Sequence, residues 1–285
     1  IQMNGICCQT KQINHSRSQR YSGVKSVLKQ ILKGVIIMST SDPIRLFIGS
    51  SSNGEDVPIE AIYEHTLRKN TERELEIVWM RQTRDMENFW GIEKDATQRW
   101  PTPFSGYRWM IPEYCEFKGR AIYTDCDMIN FRDIGDLWDT DLKGKPVAAR
   151  KGYRFGGHEF CVMVIDCEKM GDLVSVPARR QKSNPEFHVR MIGKFSGNDN
   201  FVEELDPRWN CLDGEDREVD DMYQLHWTNM ATQPWEPWWF TGTAEEHPRK
   251  DLVELFEQKL IEANDAGFYG QAGAYPPLEY NIIGK

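Results

Sequence analysis

The strongest constraint on the fold is a succession of two apolar runs with a helical stretch between them, beginning near residue 44. Arg45-Leu-Phe-Ile-Gly-Ser50 is short, apolar and closes on small residues, the pattern of a buried strand that opens into a loop. Pro58 to Lys69 carries Ile59, Ile62, Tyr63 and Leu67 at helical spacing, behind acids and a proline that suit a helix start. Leu75 to Met80 reads as a second strand. Strand, helix and strand in that order make a βαβ unit, which builds a parallel sheet and leaves a ligand site at the strand ends.

Further elements follow the same logic. Arg120-Ala-Ile-Tyr-Thr-Asp125 is a third strand, and Pro146 to Arg150 and Phe160 to Asp166 read as two more. Residues 100–106 are turn-rich. Tyr107 to Tyr114 suits a short helix that Pro112 interrupts or ends, and Cys167 to Leu173 another short helix. Asp251 to Asn264 is an amphipathic helix with Leu252, Leu255, Phe256 and Leu260 on one stripe. Residues 179–224 are polar and yield no clear elements. The tail from Gly267 to Lys285, with Pro276-Pro277, is expected to wrap the surface. No repeat or linker divides the chain, so residues 42–285 are read as one domain.

Composition bounds the function. With 40% hydrophobic and 28% charged residues in 285, the chain is ordinary globular protein with enough length for a sizeable core. The run Gly34 to Met38 falls far short of the ~18–20 apolar residues of a membrane span. Residues 1–41 hold Lys11, Arg17, Arg20, Lys25, Lys29 and Lys33 but no acid, so all 44 Asp and Glu fall on the remainder. An acidic body argues against a nucleic-acid partner, while a bound cation would still let it take one nucleotide. Val24, Val27, Leu28, Ile31, Leu32 and Val35 give the basic segment an amphipathic stripe suited to peripheral contact with an anionic membrane. The plainer reading is an extension outside the core, and Met38-Ser-Thr-Ser-Asp-Pro resembles a natural start. Seven cysteines without regular spacing read as reduced thiols of a cytoplasmic protein.

The sharpest chemical feature is Tyr123-Thr-Asp125-Cys-Asp127. Two carboxylates one residue apart at the end of an apolar strand can reach one hard cation, and their repulsion calls for a positive charge between them. A surface loop is the plainer reading of any Asp-x-Asp. His226 could complete a metal site, although alone it reads more simply as a packed histidine. Trp227, Trp235, Trp238, Trp239 and Phe240 are expected to be mostly core, with one or two lining a sugar pocket.

Taken together, the motifs resemble glycosyltransferase family 8, the glycogenin and bacterial galactosyltransferase group. Phe104-Ser-Gly-Tyr107-Arg108-Trp-Met-Ile-Pro112-Glu113-Tyr114 followed by Gly119-Arg-Ala-Ile-Tyr123-Thr-Asp125-Cys-Asp127 is similar to its helix ending in Ile-Pro-Glu and its Tyr-Leu-Asp-x-Asp. Leu205-Asp-Pro207-Arg-Trp209-Asn210 is similar to its Leu-Pro-x-x-Trp-Asn, and His226 with Pro234-Trp235 to its His-x-x-Gly-x-x-Lys-Pro-Trp. The order holds across roughly residues 44–240. There are departures: the last stretch is one residue longer, Asn229 stands for the glycine, and Thr232 and Gln233 stand for the lysine. Glu159-Phe160-Cys161 replaces an Asn-Ser-Gly.

The resemblance implies an α/β GT-A (nucleotide-diphospho-sugar transferase) fold, with a single mixed, mostly parallel sheet flanked by helices. It implies Mn²⁺ or Mg²⁺ on Asp125, Asp127 and His226. The donor, a nucleotide-diphosphate sugar of the UDP kind, would meet Gly49, Ser50, Ser51, Asn53, Arg108, Asp125, Cys126 and Gln233. The acceptor is a glycan or other hydroxyl compound, and the family course is retention. Arg108 would face the diphosphate or the donor sugar, unless it pairs with an acid such as Glu113, and Asp199 or Asn200 would stand beside the anomeric carbon. Two rivals stand against this: a haloacid dehalogenase-like phosphohydrolase drawing on Asp213, Glu215, Asp216, Asp220 and Asp221, and a carbohydrate-binding protein that stacks sugars on its tryptophans.

Overall fold

The computed structural model describes residues 42–52, 54–91, 104–152, 157–174, 185–235 and 242–270. The expectations for residues 1–41, for Asn53, for Trp238, Trp239 and Phe240, and for the tail beyond Gly270 fall outside them.

Strand β1 (Ile44–Gly49) leads into helix α1 (Val57–Lys69), which returns to β2 (Leu75–Met80), parallel to β1 in the register Ile44↔Leu75 to Gly49↔Met80. Helix α1 has a proline in its first turn, where no backbone N–H is needed, and Arg68 and Lys69 in its last, where they complement the carbonyl end. A 3₁₀ segment (Ser105–Met110) runs into α2 (Ile111–Tyr114). Pro112 sits in the first turn of α2, so it opens a helix rather than ending one.

Next come β3 (Arg120–Asp125), β4 (Met128–Asn130), α3 (Ile134–Trp138), β5 (Val147–Lys151), β6 (His158–Asp166) and α4 (Cys167–Leu173). The stretch without a sequence assignment holds α5 (Pro185–Phe195), β7 (Val202–Glu204), a 3₁₀ turn (Pro207–Asn210), β8 (Cys211–Leu212) and β9 (Gln224–His226). Helix α6 (Lys250–Asp265) follows.

Six strands form the main sheet in the order β2-β1-β3-β6-β5-β7. Only β6 runs against the others, pairing antiparallel with both β3 and β5, so the mixed, mostly parallel sheet expected from the resemblance is present. Strand β1 is flanked by parallel neighbours and covered on both faces, which is why it reads as a nearly unbroken apolar run. One face packs Phe47, Tyr107, Trp109, Tyr123 and Met163 together, and the other Leu46, Ile48, Tyr63, Ile122 and Val164.

A second, three-stranded sheet, β4-β9-β8, was not apparent from the sequence. Its strands have two or three residues, too few to leave a period. Beneath it α6 packs on α1, with Leu252 and Phe256 against Ile59, Ile62, Trp227 and Trp235. Burying each such side chain contributes roughly 1.5–3 kcal/mol. Trp227 and Trp235 are therefore core, as expected for most of the tryptophans. No helix among the described residues is long and apolar enough to cross a membrane.

Candidate active site

The parallel register sets Gly49, the last residue of β1, beside Asp125, the last of β3. A side chain at Gly49 would meet Phe104 Cδ2 at 2.6 Å and Tyr123 Oη at 2.9 Å, so glycine is required by close approach. From Asp125 the chain turns through Cys126 and Asp127 directly into β4. Strand β9 pairs antiparallel with β4, setting His226 opposite Met128, and Trp227 N donates to Asp127 O at 3.0 Å. The small sheet thus returns an imidazole from far downstream to the two carboxylates.

There, His226 Nε2 lies 3.3 Å from Asp127 Oδ1 and 3.9 Å from Asp125 Oδ2. Burial works against the imidazolium, yet Asp127 and Asp125 outweigh it and hold His226 above its usual range. Burial likewise pushes the Asp127 carboxyl up, against the pull of His226. Asp127 Oδ1 is buried, and His226 Nε2 is the polar group that faces it. A buried carboxylate oxygen beside an imidazole and a second carboxylate is a set of donor types that fits a divalent cation such as Mn²⁺ or Mg²⁺.

The surroundings fix these groups. Asn210 Oδ1 is 2.8 Å from His226 Nδ1, and Asn210 Nδ2 donates to Glu159 Oε2 at 3.4 Å. Arg150 donates to Asn210 O and Glu215 Oε1 from a buried position. Asp125 Oδ1 accepts from Tyr123 Oη and, at 3.0 Å, from Arg108 Nη2. Cys161 brings a further donor atom: those of Asp125, Cys161 and His226 lie within 4.8 Å of one another.

The other expected site residues lie around this group. Arg108 does not pair with Glu113. It is 6% exposed and donates to Ser105 O at 2.9 Å, to Phe160 O and to Asp125, which makes it a support for Asp125 rather than an arm reaching toward a diphosphate. Asp199 and Asn200 are exposed in the turn before β7. That strand starts at Val202, which aligns through Val147 and Ile165 with Ala121 rather than with Asp125. Lying three strands from β3, it is displaced sideways by about 14 Å at ~4.8 Å per strand.

Cys126 is 1% exposed and packs in the core on the α1 side, because neighbouring strand residues face opposite ways, so only its backbone can meet a ligand. In the loop after β1, Ser50 Oγ donates to Glu60 Oε1, and Ser51 O accepts from Arg81 Nε at 3.2 Å. Gln233 is half-buried, its N–H bonded to Asn229 O at 3.1 Å. The rival acidic cluster is engaged elsewhere: Asp213 with Thr228 and His247, Glu215 with Arg150.

Asp56 was missed. Its Oδ1 accepts from Trp235 Nε1 at 3.1 Å, and its carboxyl is pushed up to about 7 by burial and then by Asp127 nearby. In the sequence it stands among the acids before Pro58, which signal only a helix start.

Comparison with known proteins agrees with this fold. The family model described as Glycosyl transferase family 8 matches residues 66–200. Among solved structures, the galactosyltransferase LgtC, in a complex with donor and acceptor sugar analogs, superposes with a TM-score of 0.50 at 13% identity, over 77% of this chain and 96% of that one. GlyE from Streptococcus pneumoniae TIGR4 gives 0.52 at 14% identity, over 82% and 66%. The bifunctional glycosyltransferase WbbM gives 0.51 at 11%, over 79% and 52%, so this chain spans about half of its length.

Fold and family match together define a glycosyltransferase with the GT-A fold. Over residues 66–200 the chain is similar to glycosyltransferase family 8.

Proposed function

We propose that the protein transfers a sugar from a nucleotide-diphosphate donor of the UDP kind to a hydroxyl of a glycan or other acceptor, with retention, using Mn²⁺ or Mg²⁺ held by Asp125, Asp127 and His226. The observation that carries this reading is the convergence of two carboxylates and an imidazole, brought from distant positions by β3 and β9, with His226 Nε2 within 3.9 Å of an oxygen of each carboxylate. Once bound, the cation would act as a Lewis acid toward the departing diphosphate, a role worth several kcal/mol.

The chain's own residues prepare for that charge. Arg108 and Tyr123 hold Asp125 in one orientation. Asn210 turns the imidazole so that Nε2 faces the carboxylates. Gly49 leaves room at the end of β1 for the side chains of Phe104 and Tyr123, the latter a partner of Asp125. The free thiols of the five described cysteines are in keeping with a cytoplasmic protein.

Incubation with UDP-sugars and Mn²⁺ tests the reading: UDP release is expected, and chelation or Asp127→Ala should abolish it. Release that survives both treatments would remove the cation from the account. Inorganic phosphate from sugar phosphates would instead favour the phosphohydrolase.

A further inference from the structure

Strands β3 and β6 pair antiparallel with Thr124 opposite Val162, and the next step outward sets Cys161 opposite Asp125. Residues directly opposite in an antiparallel pair point to the same face. Cys161 is only half-buried at this edge, whereas the other described cysteines, Cys115, Cys126, Cys167 and Cys211, are buried. Its Sγ, a carboxylate oxygen of Asp125 and a ring nitrogen of His226 lie within 4.8 Å of one another. Donors that share one ion at ~2.0–2.3 Å must come within about 4.6 Å of each other. His226 Nε2 meets that limit with Asp127 Oδ1 at 3.3 Å and with Asp125 Oδ2 at 3.9 Å, while the group whose donor atoms all lie within 4.8 Å of one another is Asp125, Cys161 and His226, without Asp127. The thiol reaches it with a shift of a few tenths of an ångström.

We propose that Cys161 Sγ is a further ligand of the cation site formed by Asp125, Asp127 and His226, making it a mixed oxygen, nitrogen and sulfur centre that takes softer divalent ions such as zinc and cobalt. The inference rests on the cation reading of the site given above. Thiolate donors favour such ions, whereas carboxylates alone favour magnesium and manganese. Binding breaks the S–H bond and releases that proton to solvent as the sulfur–metal bond forms. Arg108, in electrostatic contact with both Asp125 and Cys161, offsets part of the added negative charge. The sulfur stands in the segment where the family pattern has Asn-Ser-Gly, so a soft donor enters where that pattern has none.

The test is cobalt(II) titration of the full chain, followed by absorption spectroscopy. The wild type should develop visible ligand-field bands together with intense near-ultraviolet thiolate-to-cobalt charge transfer. Cys161→Ser and Cys161→Ala should keep the visible bands, which also report an intact site, and lose the near-ultraviolet absorption. Cys126→Ser should keep both. In calorimetry the Cys161 variants should lose zinc affinity while manganese affinity changes less. Visible bands without charge transfer in the wild type, or charge transfer that survives Cys161→Ser, would overturn the role of Cys161 alone. Absence of any cobalt band in the wild type would overturn the cation reading with it.

Discussion

Asn210 Oδ1 lies 2.8 Å from His226 Nδ1, and this contact decides which ring nitrogen faces the carboxylates. The amide orientation is itself fixed, because Asn210 Nδ2 donates to Glu159 Oε2. Oδ1 must then accept from Nδ1–H, which makes Nε2 the ring nitrogen turned toward Asp127. Partners of this kind hold a ligating histidine in orientation and tautomer, and their loss costs ~10–100-fold in metal affinity. Asn210→Ala should weaken Mn²⁺ binding by about that factor, and Asn210→Asp by less because an acceptor remains. Calorimetric Mn²⁺ titration reads both, and equal affinity in all three proteins would contradict the assignment.

Arg108 and Asp125 form a second pair, buried and 3.0 Å apart. Removing one partner of a buried ion pair strands the other charge, at a cost of about 3–5 kcal/mol. Arg108→Ala should therefore lose stability of that order in urea unfolding without added cation. Arg108→Lys should recover only part, since an ammonium cannot reach Ser105 O, Phe160 O and Asp125 together as the guanidinium does. Added Mn²⁺ should restore stability to Arg108→Ala more than to the wild type, by replacing the lost positive charge. Unchanged unfolding midpoints would show that Asp125 does not depend on Arg108.

A pH dependence follows from His188, whose Nδ1 accepts from Trp109 Nε1 at 3.0 Å. Burial, and then Arg108, lower its pKa from 6.5 to about 3. The unfolded chain takes up a proton at this residue below about pH 6.5, while the folded one stays neutral until about 3, so stability falls as pH drops through that window. At pH 5 the loss relative to pH 7.5 should be about 2 kcal/mol greater in the wild type than in His188→Asn, which keeps an acceptor for Trp109 but does not titrate. Urea unfolding of both proteins at the two pH values measures it. Equal pH dependence would contradict a buried neutral imidazole.

The parts that could be read from the sequence share a physical trait. Strands β1 and β3 lie in the covered middle of the sheet and are therefore apolar runs, and Asp125 and Asp127 stand out because charge follows such a run abruptly. Strands β4, β8 and β9 are too short for any period, so the placement of His226 rested on resemblance rather than on pattern. Asp56 was hidden behind its duty at a helix start. Cys161 was visible only as a departure from the family pattern, and it took the β3–β6 register to show what it faces.

The most direct measurement of the central claim is calorimetric titration of UDP into the wild type and into Asp127→Ala, each with and without Mn²⁺. UDP should bind the wild type tightly only when Mn²⁺ is present, and Mn²⁺ should make no difference to Asp127→Ala. Binding of equal strength in all four titrations would contradict a cation held between Asp125, Asp127 and His226.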